Sequence, residues 1–252
     1  AMKKAVEAMK TAEAKAPETE DIVDEPGVGE EDYLIGLKVE GRKIGILLDA
    51  SASMTDERLI DVIRRKNMSD ADKIAGPKWQ RSKRIIRWIL ARLPANSEVA
   101  VIVFNNKART LGLAGWSAAR DPSAINQIIS DLETVVPSGS TNLQVGLEAL
   151  NRARPSTVYI ITDGLPTAGD SSYKSLNPFA SCSSLWGGSN TISGECRLAL
   201  FTHTLSSSAP KPHVPVNVVL LPIEGDPEAS FAFWSWTAST GGLTISPAAV
   251  WP

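Results

Sequence analysis

Histidine and cysteine are nearly missing from this chain: 252 residues hold only His203, His213, Cys182 and Cys196. A serine hydrolase needs a base beside its nucleophile. Neither histidine follows a strand-end motif; both are expected on or after one helix, as surface or capping residues. Neither cysteine has a second close ligand, which argues against zinc. No G-x-x-x-x-G-K-[ST] occurs, and no G-x-G-x-x-G follows a strand, so nucleotide phosphates have no cradle. No apolar run approaches the ~20 residues of a membrane span, and no secretory leader is visible. Ala1 before Met2 reads as a cloning remnant, so that missing leader does not fix the native location. Charge of one sign is lacking too. A net charge of −2 and a pI near 5.8 give no global attraction to nucleic acid.

What is present is ordinary globular composition, 43% hydrophobic and 21% charged, enough for one large domain plus an appendage. Residues 1–37 read as a tail and linker. The stretch 2–15 is rich in Ala, Lys and Glu and favours a weak helix, either a frayed tail or the end of a stalk. Residues 16–32 hold Glu18, Glu20, Asp21, Asp24, Glu25, Glu30, Glu31 and Asp32, with Pro17 and Pro26 and no basic residue. That composition predicts a solvated linker. Residues 38–252 form the domain, with inserts at about 54–77 and 164–195.

Within the domain, strands are expected at 43–49, 98–104, 108–113, 157–162, 215–221 and 243–246. Helices are expected at 78–93, 121–135, 141–153, 196–207 and 227–239. This alternation predicts an α/β fold: a doubly wound, mostly parallel central sheet with helices on both faces and one short antiparallel edge strand. Trp79, Ser82, Ile86, Ile89, Leu90 and Leu93 repeat at helical spacing and are expected in the core. The cations of the same helix, Lys78, Arg81, Lys83, Arg84, Arg87 and Arg92, are expected on its solvated face.

The chemistry lies in five oxygen-bearing residues. The apolar run Lys43-Ile-Gly-Ile-Leu-Leu ends in Asp49-Ala-Ser51-Ala-Ser53. One carboxylate and two hydroxyls at alternating positions suit a turn that aims three hard oxygens at one point, as a small hard cation such as Mg²⁺ requires. Thr141 lies in Pro-Ser-Gly-Ser-Thr-Asn, a small-residue turn opening a helix. Asp163 follows the apolar run Val-Tyr-Ile-Ile-Thr. In an open parallel sheet, residues at the carboxyl ends of different strands converge on one crevice.

This set resembles the metal-ion-dependent adhesion site (MIDAS) of von Willebrand factor A domains, whose pattern is D-x-S-x-S, a Thr in a Gly-rich turn and an Asp after a later strand. The resemblance covers roughly residues 38–250, and the Thr240-Gly241-Gly242 step before the last strand fits it as well. Ala52 departs from it, standing where the family usually has Gly. The resemblance implies a Rossmann-like fold and a site for Mg²⁺ (or Mn²⁺ or Ca²⁺). Ser51 and Ser53 would be direct ligands and Thr141 a conditional one, while Asp49 and Asp163 would anchor waters and fix the serine hydroxyls. Nearly neutral direct ligands leave a cation electrophilic, so the implied partner is a protein that supplies an Asp or Glu carboxylate. No small-molecule cofactor, nucleic acid or enzymatic activity is expected.

Two rival readings stand beside that one: a scaffold subunit whose metal is a fold staple, and a metal-dependent phosphohydrolase. Phosphatases with a nucleophilic Asp after the first strand need D-x-D, and here Ser51 occupies the second position. The inserts are expected to crowd the metal face. The first carries Met54, Arg58, Arg64, Arg65, Lys66 and Met68 and is expected to form a small helix pair near 57–66 and 69–75. The second carries Tyr173, Phe179 and Trp186, as a partner pocket or as a lid. Cys182 and Cys196, with thirteen residues between them, would close a loop worth about 3 kcal/mol as a disulfide. That bond implies an oxidising compartment, and the alternative is two free thiols in the cytoplasm. The expected location is extracytoplasmic, at a bacterial envelope or tethered to a membrane from beyond the ends of this sequence, with the cytoplasm as the alternative.

Overall fold

The computed structural model describes residues 37–113, 115–170, 193–248 and 251–252. Strand β1 (Lys43–Asp49) lies at the centre because Ile44, Ile46, Leu47 and Leu48 are buried and its two faces meet different cores. Parallel β2 (Glu98–Phe104) flanks it on one side, with Ile46 opposite Val101. Parallel β5 (Thr157–Thr162) flanks it on the other, with Ile46 opposite Tyr159. Beyond β5 come β6 (Val216–Leu220) and the two-residue β7 (Thr244–Ile245), both parallel. At the other edge β3 (Ala108–Leu111) runs antiparallel to β2. A second short antiparallel strand, β4 (Ser117–Ala118), also joins β2 there; two residues leave no alternation to read.

The helices divide between the faces. Trp79, Ile85, Ile86 and Ile89 of α3 (Pro77–Ala91) and Ile125, Ile128 and Leu132 of α4 (Pro122–Glu133) pack on Ile44, Ile46 and Leu48. The opposite face, with Leu47, Ile102 and Phe104, is covered by α5 (Leu143–Ala153), α6 (Gly194–Ser208) and α7 (Ala229–Thr240). The last helix ends at Gly241, whose φ of 79° closes a left-handed C-cap that a side chain would strain. Before α3 the chain forms a 3₁₀ turn (Ala52–Thr55), then α1 (Leu59–Lys66) and α2 (Asp70–Ile74), the helix pair expected of the first insert. Of the second insert, residues 171–192 lie outside the described residues, and Tyr173, Phe179, Cys182 and Trp186 with them.

One expectation is overturned. The cations of α3 are not a solvated face: Lys78, Arg81 and Lys83 are 1%, 3% and 2% exposed. Each lies under a neighbour rich in acceptors. The Lys83 ammonium donates to Glu133 at the end of α4 (2.6 Å), and the half-buried Arg87 donates to the same carboxylate. The Arg81 guanidinium donates to the carbonyls of Pro247, Ala248 and Trp251. Arg84 reaches Pro252, and Trp251 meets Trp88 edge to face at 5.1 Å. The C-terminal segment is thus strapped across α3 by carbonyl groups, which carry no charge that a sequence pattern could reveal. Arg92 stacks on the Trp88 ring.

Truncating Trp79, which is fully buried, to Ala is expected to cost about 3–5 kcal/mol in urea denaturation. Phe231→Ala, where the side chain is 71% exposed, is expected to stay within about 0.5 kcal/mol.

Candidate functional site

The sheet order β3-β2-β1-β5-β6-β7 reverses between β1 and β5. Connections leave in opposite directions from these two strands, so a crevice opens at their carboxyl ends. Asp49 is the last residue of β1, and Asp163 directly follows β5. Both are buried, at 0% and 4% exposure, and Ser51 is at 1%.

Hydrogen bonds order the crevice. Asp49 Oδ1 accepts the Ser51 backbone N–H (2.8 Å) and so bends the chain into the 3₁₀ turn, while Oδ2 accepts the Thr162 hydroxyl (2.8 Å). The Ser53 hydroxyl donates to Asp163 Oδ1 (3.0 Å). The Ser51 and Ser53 oxygens are 3.1 Å apart. A hydroxyl has one proton, and that of Ser53 is already committed. The Ser51 hydroxyl is therefore the donor in its pair with Ser53. Both protons run toward Asp163, which leaves lone pairs on the two serine oxygens.

Thr141 lies on the adjoining turn. That turn is held to the first by Ala52 N–H to the Gly139 carbonyl (3.1 Å) and Ser138 N–H to the Ala50 carbonyl (2.8 Å). Gly139 has a φ of 78°, and a Cβ there would strike Asn106 Oδ1. Thr141 itself is 5% exposed, its backbone N–H is bonded to Thr167 Oγ1, and no hydrogen bond commits its hydroxyl among the described residues. Asn142, next in sequence, caps α5 through Val145. The structure thus brings Asp49, Ser51, Ser53 and Asp163 into one bonded cluster and sets Thr141 beside it. Ala52 is accommodated, since it is not among the residues of positive φ.

Two participants were not anticipated from the sequence. Thr162 completes the grip on Asp49. Lys78, near the start of α3, places its ammonium 2.7 Å from Asp163 Oδ2 and 3.0 Å from the Pro222 carbonyl, with its side chain fully buried. The signal was its phase: Lys78 heads the series Ser82, Ile85 and Ile89 on the inward stripe of the helix. Nearby, Asp226 braces the loop after Asp163, accepting from the Leu165 N–H (2.6 Å) and pairing with Arg197 (2.7 Å). Burial pushes the Asp226 carboxyl above its ordinary range, against the pull of Arg197. Neither His203 nor His213 approaches the crevice in any hydrogen bond, and Cys196 is buried in the first turn of α6 as a disulfide-bonded residue. The expected Cys182 partner lies outside the described residues.

The donor set fits a small divalent cation in spacing. Octahedral Mg²⁺ with bonds near 2.1 Å has adjacent ligands about 3.0 Å apart, and the Ser51 and Ser53 oxygens are separated by 3.1 Å. Among the described residues no three His, Cys, Asp or Glu side chains converge.

Residues 44–165 match the model of the von Willebrand factor type A domain, and the chain carries a domain of that family. No curated protein matches by sequence. Among solved structures, an aerotolerance-related membrane protein from Bacteroides fragilis is 17% identical, with 82% of this chain and 92% of that chain covered and a TM-score of 0.46. A von Willebrand factor type A structure from Catenulispora acidiphila is 14% identical over 82% of this chain and 39% of that one, at 0.46. Proximal thread matrix protein 1 from the mussel byssus, solved with a zinc-occupied MIDAS motif, is 14% identical over 82% and 44%, at 0.44. Among the described residues no helix is long and apolar enough to cross a membrane.

Burial, then the neighbouring Asp163, raises the Asp49 carboxyl from 3.8 to about 7, against the pull of its bonds to Ser51 and Thr162. The folded state thus holds a proton that the unfolded chain has already released. Stability of the metal-stripped protein is expected to fall as pH rises from about 4 to about 7, by up to about 1.4 kcal/mol per pH unit from this group. Asp49→Asn is expected to flatten that part of the profile, read by urea denaturation across the range.

Proposed function

We propose that this domain binds a protein partner through the crevice at the ends of β1 and β5, with a divalent cation held between the two and a partner carboxylate as its last ligand. The observation that carries the reading is the hydroxyl chain Ser51–Ser53–Asp163. Its protons run toward Asp163, and its two serine oxygens are spaced as an octahedral edge. When bound, Mg²⁺ or a similar ion supplies a Lewis-acid centre with a coordination position left for an outside oxygen.

The chain's own residues do the rest. Ser51 and Ser53 offer neutral oxygens, so little of a cation's charge is cancelled by direct ligands. Asp163 Oδ1 fixes the Ser53 rotor, and Asp49 fixes the turn that carries both serines. Thr141, whose hydroxyl is uncommitted, is the conditional ligand. Every carboxylate oxygen of the site already accepts a hydrogen bond, Asp49 from Ser51 and Thr162 and Asp163 from Ser53 and Lys78, an arrangement that favours binding over activation of an incoming water. Next to the crevice, α1 packs on the 3₁₀ turn that bears Ser53 and exposes Leu59, Ile60 and Ile63 by 50%, 45% and 52%. An apolar patch beside a charged centre suits a protein partner better than a small ion or metabolite. The disulfide-bonded state of Cys196 favours an oxidising, extracytoplasmic setting.

Calorimetric titration of metal-stripped protein with Mg²⁺ in acetate, a minimal carboxylate, is expected to give one saturable site. The Ser51→Ala/Ser53→Ala double variant is expected to lose it while retaining its far-ultraviolet circular dichroism. Equal binding by the variant would remove the serines from the site.

A further inference from the structure

The lysine on Asp163 changes what the crevice can do. Its ammonium is bonded to Asp163 Oδ2 and the Pro222 carbonyl, its side chain is fully buried, and its neighbours Trp79 and Ser82 on α3 are fully buried as well. It cannot swing into solvent unless α3 moves, so it is a fixed positive charge inside the site. It occupies Oδ2 only, leaving Oδ1 with Ser53.

We propose that Lys78 is a resident counter-charge that makes divalent-cation binding at this crevice depend on a carboxylate ligand. The proposal rests on the reading of the crevice as a cation-mediated docking site. With both aspartates ionised, the state in which they face a bound cation, two carboxylates and one ammonium carry a formal charge of minus one. A divalent cation brings the site to plus one, and a partner carboxylate returns it to neutrality. Without Lys78 the divalent cation alone would already neutralise the two aspartates, and a carboxylate would arrive at a site with no net charge. In a buried site of low effective dielectric such differences are large. Lys78 therefore weakens the cation taken alone and strengthens the cation and carboxylate taken together. The coupling is reciprocal, since each ligand raises the affinity of the other by the same factor. A second consequence concerns the apo protein: Asp163 already has a cation, so the fold stands without a metal.

The test is calorimetry on metal-stripped full chain, titrated with Mg²⁺ in the absence and presence of acetate. Native protein, Lys78→Met, Lys78→Gln and Lys78→Arg are compared, with thermal melts to confirm that each is folded. Gln keeps a donor toward Asp163 without the charge, and Arg keeps the charge. In native protein and Lys78→Arg, acetate is expected to tighten Mg²⁺ at least about tenfold. Lys78→Met and Lys78→Gln are expected to bind Mg²⁺ alone at least about tenfold tighter than native, with acetate adding less than about threefold. Their melting temperatures are expected to rise with Mg²⁺ by several degrees more than that of the native protein. Equal Mg²⁺ affinity and equal acetate effect in all four proteins would overturn the role of Lys78 while leaving the cation site intact. No saturable Mg²⁺ binding in any of them, even with acetate, would overturn the cation site and this role together.

Discussion

Two carboxylates at the ends of neighbouring parallel strands share one buried crevice, and the rest of the site is arranged around that constraint. Asp49 and Asp163 sit where the sheet order reverses, at the ends of β1 and β5. Like charges so placed and so buried are costly unless protonated, bonded or matched by a cation. The structure uses all three. Asp49 is driven toward protonation at neutral pH and is gripped by Ser51 and Thr162. Asp163 takes a hydroxyl on one oxygen and an ammonium on the other.

The helix that supplies the ammonium also anchors much of the fold. On one side α3 fills the core under β1 with Trp79, Ile85, Ile86 and Ile89. On its flank Arg81 and Arg84 hold the C-terminal carbonyls, and Lys83 and Arg87 hold Glu133. A single rigid element thus ties the crevice, the strap and α4 together. A crevice braced this way is ordered in advance, which reduces the entropy lost when any ligand binds there.

The elements that were legible in advance share a physical cause. Strands β1, β2 and β5 are buried on both faces, so each shows an unbroken apolar run that stops at a polar residue, Asp49, Asn105 and Thr162 respectively. The run ending in Asp49 and the run before Asp163 located both strands and both carboxylates. The amphipathic stripe of α3 located its core face. What was missed has a cause too. Helical spacing identifies the buried stripe by its apolar residues, and Lys78 lies on that stripe without being apolar. Arg81 and Lys83 lie under a C-terminal strap and a neighbouring helix, and sequence periodicity carries no information about such long-range cover. Thr162 is an ordinary β-branched strand residue until its neighbour across the sheet proves to be Asp49.

The most direct test of the account is a crystal of the native protein grown with Mn²⁺ and acetate and read by anomalous scattering. The account predicts one peak about 2.1–2.2 Å from the hydroxyl oxygens of Ser51 and Ser53, with the Lys78 ammonium still on Asp163 and an acetate oxygen bound to the ion. A crevice without an anomalous peak at saturating Mn²⁺, or a peak that displaces Lys78 from Asp163, would contradict it.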